Sequence, residues 1–161
     1  MSDSQQARVE AFRQKIFDQI PLTRAMGFDK INYDGRDLAF ELSLEPNHND
    51  KGTAFAGALS AAANLCGWGA ITLLLEAITE QSGIAYDVVI RDSRLEYMLP
   101  VTTDFVVQAR LPDIATVDAF QARLQERGKA RIDLLVEVVE NGRSCFQFSG
   151  SYVALEKKQW V

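Results

Sequence analysis

Histidine occurs only once in this chain of 161 residues, at His48, and cysteine only twice, at Cys66 and Cys145. A lone imidazole excludes a His-based metal cluster and a paired-histidine site, so no metal is expected. Both cysteines sit inside apolar segments. They read as small core residues of a reducing compartment rather than as a disulfide or a metal pair. Positive charge is also scarce: 17 Lys and Arg stand against 22 Asp and Glu, a net charge of −5. That balance excludes a general nucleic-acid or anionic-membrane binder and leaves room for a local basic patch. The opening Met-Ser-Asp-Ser-Gln-Gln has no basic-then-apolar signal pattern, so a cytoplasmic location is expected. The composition, 47% apolar and 24% charged, is that of an ordinary globular chain. The length suits one domain over residues 1–161.

Charge is missing altogether from residues 52–75. A run of that length could span a bilayer. It is, however, rich in Ala and Gly, contains Thr53, Ser60, Asn64 and Thr72, and is followed by Glu76 and Glu80. No basic cluster flanks it, so the positive-inside signature is missing and a buried helix is expected.

Around that helix the chain alternates between patterns. Val9, Phe12, Ile16 and Ile20 recur at three and four, marking an amphipathic helix over residues 5–20 that Pro21 ends. Residues 28–33, Asp34-Gly35 and residues 36–45 read as a hairpin about a tight turn. The apolar helix is predicted to run to about Gln81, with Thr53 as its N-cap and Ser82-Gly83 as its close. Ile84, Tyr86, Val88 and Ile90 then share one parity, whereas Leu95, Tyr97 and Leu99 take the other. This predicts a long, bent strand with a bulge near Asp92-Ser93. Phe105 to Leu111 alternates again, residues 116–127 are helical or loop-like, and Asn141-Gly142 joins a last pair of strands. A helix apolar nearly all round must be covered on most sides, and a curved antiparallel sheet wrapped about it does so. The fold class is therefore α+β. Gly57, Ala58, Ala61, Ala62, Gly67, Gly69 and Ala70 let the sheet approach closely.

Ahead of the helix lies Pro46-Asn-His-Asn-Asp-Lys-Gly-Thr-Ala-Phe-Ala-Gly57, dense in amide, hydroxyl and glycine groups. A helix start carries unpaired N–H groups and partial positive charge, so this loop opens onto an anion-holding end of the most apolar element.

The element order, this helix entry and the closing Gly150-Ser-Tyr-Val resemble the hot-dog superfamily of acyl-thioester proteins. More narrowly, Pro46-Asn-x-Asn-x-x-Gly-Thr-x-Phe-x-Gly57, Gly67-Trp68-Gly69, Tyr97-x-x-Pro-Val101 and Arg127-Gly-Lys-Ala-Arg131 resemble one bacterial branch. Its members occur alone or fused behind an acetyltransferase domain. They have been labelled thioesterases, and the resemblance implies malonyl-acyl-carrier-protein decarboxylase activity within fatty acid synthesis. It also implies a sheet wrapped around one central helix, and a homodimer or higher homo-oligomer. The substrate would be an acyl carrier protein or coenzyme A thioester that brings its own phosphopantetheine, with no separate cofactor.

The chain departs from many relatives in one respect. Hot-dog thioesterases often carry His-Gly-Gly at the helix entry and an acidic residue seven positions beyond the second glycine. Here Phe55-Ala56-Gly57 and Asn64 stand in those places, and none of these side chains is a general base or carboxylate nucleophile. Asn49 aligns with the branch's critical asparagine and is expected to carry chemistry, with Asn47 serving a turn. Thr53 either caps the helix or donates a hydroxyl to substrate. The N–H groups of Ala56 and Gly57 suit a thioester oxygen. Asn64 either faces the pocket or is a core amide bonded to a strand, the second being the leading expectation. His48 is expected at the surface, Cys66 as a packed thiol and Trp68 as packing. Arg127, Lys129 and Arg131 are a solvated face or a landing patch for an acidic carrier protein or a cofactor phosphate. Three classes stay open: the decarboxylase, a thioesterase using water held by Asn49 and Asp50, and a non-catalytic acyl-thioester binding module.

Overall fold

The computed structural model describes residues 3–157. Helix α1 covers Asp3–Gln19 and runs into a short 3-10 turn, Pro21–Ala25. Strands β1 (Phe28–Tyr33) and β2 (Leu38–Leu42) follow, then α2 (Ala56–Ser82), β3 (Tyr86–Tyr97) and β4 (Phe105–Arg110). Helix α3 (Ile114–Arg127) precedes the long hairpin of β5 (Lys129–Glu140) and β6 (Arg143–Glu156). Among the described residues the strands form one six-stranded antiparallel sheet in the order β1-β2-β4-β5-β6-β3. The fold is α+β with the sheet packed on a long central helix, as expected.

Turn chemistry explains the joins. Asp34 Oδ1 accepts from the backbone N–H groups of Arg36 and Asp37 at 2.8 and 2.7 Å, and Gly35 takes φ +100. At the far hairpin Asn141 and Gly142 both take positive φ, the conformation a two-residue turn between twisted strands requires. Gly83 closes α2 in the left-handed region. The uncertain span at residues 116–127 is a helix, begun by Asp113, whose side chain accepts from the Thr116 N–H.

Helix α2 is long and apolar enough to cross a membrane by length and composition, but 67% of its most apolar window is buried within this fold. Ala63, Cys66, Ala70, Ile71 and Leu73 are fully buried. They pack against the inward rows of the sheet, Ala130, Ile132, Leu134, Val136 and Val138 on β5 and Phe146, Phe148, Tyr152 and Ala154 on β6. Gly67 and Gly69 serve as expected, whereas Gly57 is exposed and meets only Phe55 of its own segment. A Cβ on Gly69 would meet Phe12 Cζ at 2.6 Å and Leu38 Cδ2 at 2.8 Å, so these two side chains could not pack against α2 as they do. Helix α1 caps the open side, with Phe12 against Phe40 and Phe17 edge-on to Phe28.

Strand β3 is one of the two edges of the sheet, and most of its side chains are exposed. Its register against β6 slips between Ile90 and Asp92, leaving Arg91 as the extra residue of a bulge. Up to Ile90 the even-numbered residues oppose the inward Tyr152 and Ala154. Beyond it, Leu95 and Tyr97 oppose the inward Phe148 and Phe146. The expected parity reset is therefore present, one residue earlier than expected.

Candidate active site

The loop between β2 and α2 is clasped by Asn49. Its Oδ1 accepts from the N–H groups of Lys51 and Thr53 at 2.9 and 3.2 Å, and its Nδ2 donates to Thr53 Oγ1 at 3.0 Å. Its own N–H donates to the Thr53 carbonyl at 2.8 Å, and Gly52 turns the chain at φ +74. Asn47 is buried and pins the loop to the preceding segment, donating to the carbonyls of Met26 and Ser43 at 2.8 and 2.7 Å. His48 is exposed, with Nδ1 2.9 Å from the Asn49 carbonyl oxygen. Asp50 pairs with Lys51 in open solvent.

Thr53 does not cap the helix. Because Asn49 draws it into the loop's own turn, α2 begins three residues later, at Ala56, with Phe55 in the N-cap position and no side chain capping it. The first N–H groups of α2 are thereby presented outward. The Ala56 carbonyl is held by the Tyr97 hydroxyl at 3.2 Å. Gly57 lets the exposed Phe55 ring fold against the helix start, where a Cβ would collide with it. Uncapped N–H groups beside a Thr hydroxyl and an amide are the kind of donors that an oxyanion needs.

Further along the same face of α2 lies a cavity of about 300 Å³. Gly57, Ala61, Asn64 and Trp68 fall at spacings of four, three and four, one stripe of the helix. Ala61, Asn64, Leu65 and Trp68 form one wall, while Ile20, Leu22, Thr23 and Met26 from the 3-10 segment and Ile90 and Tyr152 from the sheet form the others. At 1.5 Å rise per residue, Asn64 stands roughly 12 Å down the axis from Ala56.

Asn64 is not bonded to a strand, contrary to the leading expectation. Its Nδ2 reaches only the Ser60 carbonyl of its own helix, at a long 3.5 Å, and the side chain is half-buried at the cavity wall. The strand-side polar group that does approach is Tyr152, whose hydroxyl bonds the Asn64 backbone carbonyl instead. Asn64 therefore lines this cavity, whereas Asn49 does not. Trp68, read as packing, packs against Phe12 and lines the cavity as well. The segment after α1 escaped sequence reasoning, because nothing in Ile20, Leu22 and Met26 distinguishes a cavity wall from core.

Cys66 is fully buried, and burial pushes its thiol far above the ordinary range. Its Sγ lies 3.4 and 3.5 Å from the carbonyls of Leu38 and Val107, as a packed donor rather than a thiolate. Among the described residues no group of three or more His, Cys, Asp or Glu could hold a metal. Arg127, Lys129 and Arg131 converge on the outer face of the sheet, away from the cavity, and are joined there by Arg91 and Arg123. Arg123 lies four residues before Arg127 on a helix, a spacing that could have revealed it.

Residues 9–156 match the family model YiiD_C, described as "Putative thioesterase (yiiD_Cterm)". A crystal structure of a protein of unknown function from Chlorobaculum tepidum TLS superposes with a TM-score of 0.83, at 30% identity over 92% of this chain and 94% of that one. A structure titled as a putative thioesterase from Shewanella oneidensis gives 0.75, at 28% identity over 91% and 96%. A Pseudomonas aeruginosa protein titled a probable thioesterase gives 0.77, at 21% identity over 92% and 95%, a likeness of fold.

Proposed function

Because the chain belongs to the YiiD_C thioesterase family and has the hot-dog fold of acyl-thioester enzymes, we propose that it hydrolyses the thioester of a medium-length acyl chain. One observation carries the reading: the uncapped start of α2 and an apolar cavity share a single helix face. Water would add to the thioester carbon and the C–S bond would then break, the thiolate leaving and taking up the proton that water gives up; the thioester oxygen would sit on the N–H groups of Ala56 and Gly57, whose preorganised dipoles stabilise the charge of the tetrahedral intermediate. The acyl chain would run past Ala61 and Asn64 toward Trp68. With a methylene taking about the volume of a water, ~30 Å³, the cavity suits a chain of roughly eight to ten carbons. Thr53 Oγ1 accepts from Asn49 and retains its own proton, so it can donate to the substrate.

The strand β3 supports a homodimer. It is an unpaired edge, and Tyr97, Met98 and Leu99 at and just beyond its end are exposed apolar side chains. Pairing two copies through this edge removes the unpaired ladder and covers those residues. It would bring the loop of one copy toward the cavity of the other, uniting the two asparagines that a single subunit holds apart.

Decarboxylation of a malonyl thioester is the second reading. Its supporting observation is that neither the helix entry nor Asn64 offers a base to activate water. Loss of CO2 needs only a poorly solvated carboxylate and donors for the enolate oxygen. Mass analysis after incubation with octanoyl-CoA, malonyl-CoA and the corresponding acyl carrier proteins separates the readings. Hydrolysis releases free thiol and fatty acid, whereas decarboxylation yields acetyl thioester and CO2. Absence of turnover on all four leaves a binding module and rejects both.

A further inference from the structure

On the outer face of the sheet, opposite the cavity, lies a groove of about 750 Å³. Strand register builds it. Lys129 pairs with Leu155, which pairs with Asp87, and Arg131 pairs with Val153, which pairs with Val89. The neighbouring Tyr152 and Ala154 turn inward, so this row and the cavity lie back to back across the same strands. The floor is apolar, formed by Val89, Ala130, Val153 and Leu155. Its rim is cationic, with Arg91 from the bulge, Arg123 and Arg127 from α3, and Lys129 and Arg131 from β5.

Five cations on one concave surface are unexpected in a chain of net charge −5. Self-neutralisation accounts for only part of the cluster. Arg131 pairs with Asp133 at 3.0 Å, and Arg91 and Arg127 stand 3.8 and 3.9 Å from the adjacent Asp92 and Glu126. These are exposed pairs of near neighbours in sequence, weak enough to open for a phosphate. Among the described residues no carboxylate forms an ion pair with Arg123 or Lys129.

We propose that this groove binds the nucleotide end of coenzyme A, with the guanidinium and ammonium groups holding its diphosphate and 3′-phosphate and the apolar floor receiving the flat base. The compact concavity and alternation of cationic rim with apolar floor suit a nucleotide, which combines dense negative charge with a planar ring. The inference rests on the thioester reading and its β3-paired dimer. Antiparallel pairing about the middle of β3 sets the partner's Tyr97 beside the start of this strand. Within a subunit Tyr97 bonds the Ala56 carbonyl at the head of α2. The groove of one copy therefore flanks the helix start of the other, so the carrier end of a thioester is held by one subunit and its acyl end by the partner.

The test is calorimetric titration of the whole chain with coenzyme A, dephospho-coenzyme A and pantetheine. Affinity should fall in that order, and the first should weaken as salt rises. Arg127→Glu with Arg131→Glu should lose at least about tenfold in coenzyme A affinity, with pantetheine changed less than about twofold. Arg123→Gln with Lys129→Gln, which reverses no charge, should give a smaller loss of the same pattern and serves if the first variant folds poorly. Equal affinity for the three probes, unchanged coenzyme A binding in both variants, or dependence on these residues only for an acyl carrier protein overturns the proposal. Coenzyme A binding as described but without thioester cleavage leaves the groove assigned and rejects hydrolysis. Cleavage of octanoyl-pantetheine with no preference for the coenzyme A ester does the reverse.

Discussion

The Tyr152 hydroxyl donates to the Asn64 carbonyl at 3.2 Å and occupies the space that a Cβ on Gly67 would need. A mid-helix glycine ordinarily costs about 0.5–1 kcal/mol relative to alanine. Here it is the condition for the sheet's largest inward ring to lie against α2. Gly67→Ala should therefore destabilise by roughly 1–3 kcal/mol in urea unfolding, despite its better helix propensity. Pairing it with Tyr152→Phe, which removes the oxygen in the way, should recover part of the loss. A Gly67→Ala variant as stable as the parent would contradict this packing.

Asn49 and Asn64 should separate by what each loses. Asn49 holds its loop by three side-chain bonds, so Asn49→Ala should abolish activity and also speed amide exchange at Lys51 and Thr53. Asn64 has one long bond at a cavity wall, so Asn64→Ala should cost about 0.5 kcal/mol or less in stability while lowering kcat/KM about tenfold or more. Melting temperatures and steady-state kinetics on both variants decide it. An Asn64→Ala protein that melts far lower yet keeps its rate would return that amide to the core.

Cavity length should set chain preference. Ala61 is the smallest wall residue on the stripe between Gly57 and Trp68. Ala61→Phe should cut kcat/KM for octanoyl thioester by about tenfold or more while sparing butyryl thioester, since a filled apolar volume excludes methylenes. A uniform loss across chain lengths would place the acyl group elsewhere.

Acid stability should depend on Glu140. The Thr102 N–H, with the Thr103 N–H and both threonine hydroxyls, holds its carboxyl below the ordinary value of 4.5. A depressed carboxyl contributes stability above its unfolded value and loses it as pH falls through the folded one. Glu140→Gln should therefore melt below the parent near neutrality, and the gap should close as the pH falls below 4.5 and through the carboxyl's folded value. The segment concerned leads from Val101, whose carbonyl accepts from Ala54 at the entry to α2. A gap that stays constant as the solution is acidified would mean that the carboxylate's charge contributes nothing.

Where residue pattern maps directly onto geometry, the sequence was sufficient. The charge-free run, the Asp34-Gly35 and Asn141-Gly142 turns and the parity change in β3 each follow from local chemistry, and they determine the wrapped-helix architecture. Site detail was less legible. Thr53 has every attribute of a helix cap, but Asn49 competes for it four residues away, and the helix start moves accordingly. Asn64 looked like a core amide because its neighbours are apolar. Whether an apolar surround is packed or hollow depends on Ile20, Met26 and Ile90, which come from three distant points in the chain. The basic groove, likewise, is assembled by register across β3, β6 and β5, a relation that no linear spacing of residues displays.

The single extra residue at Arg91 works as a phase shifter. Removing it would not shorten β3 so much as turn its second half over, moving Leu95 and Tyr97 from the inner to the outer face of the sheet and their neighbours the other way. Tyr97 would then let go of the Ala56 carbonyl, so a deletion on the back of the sheet would be felt at the head of the central helix. Length variation at this position should therefore be tolerated in steps of two residues and not of one.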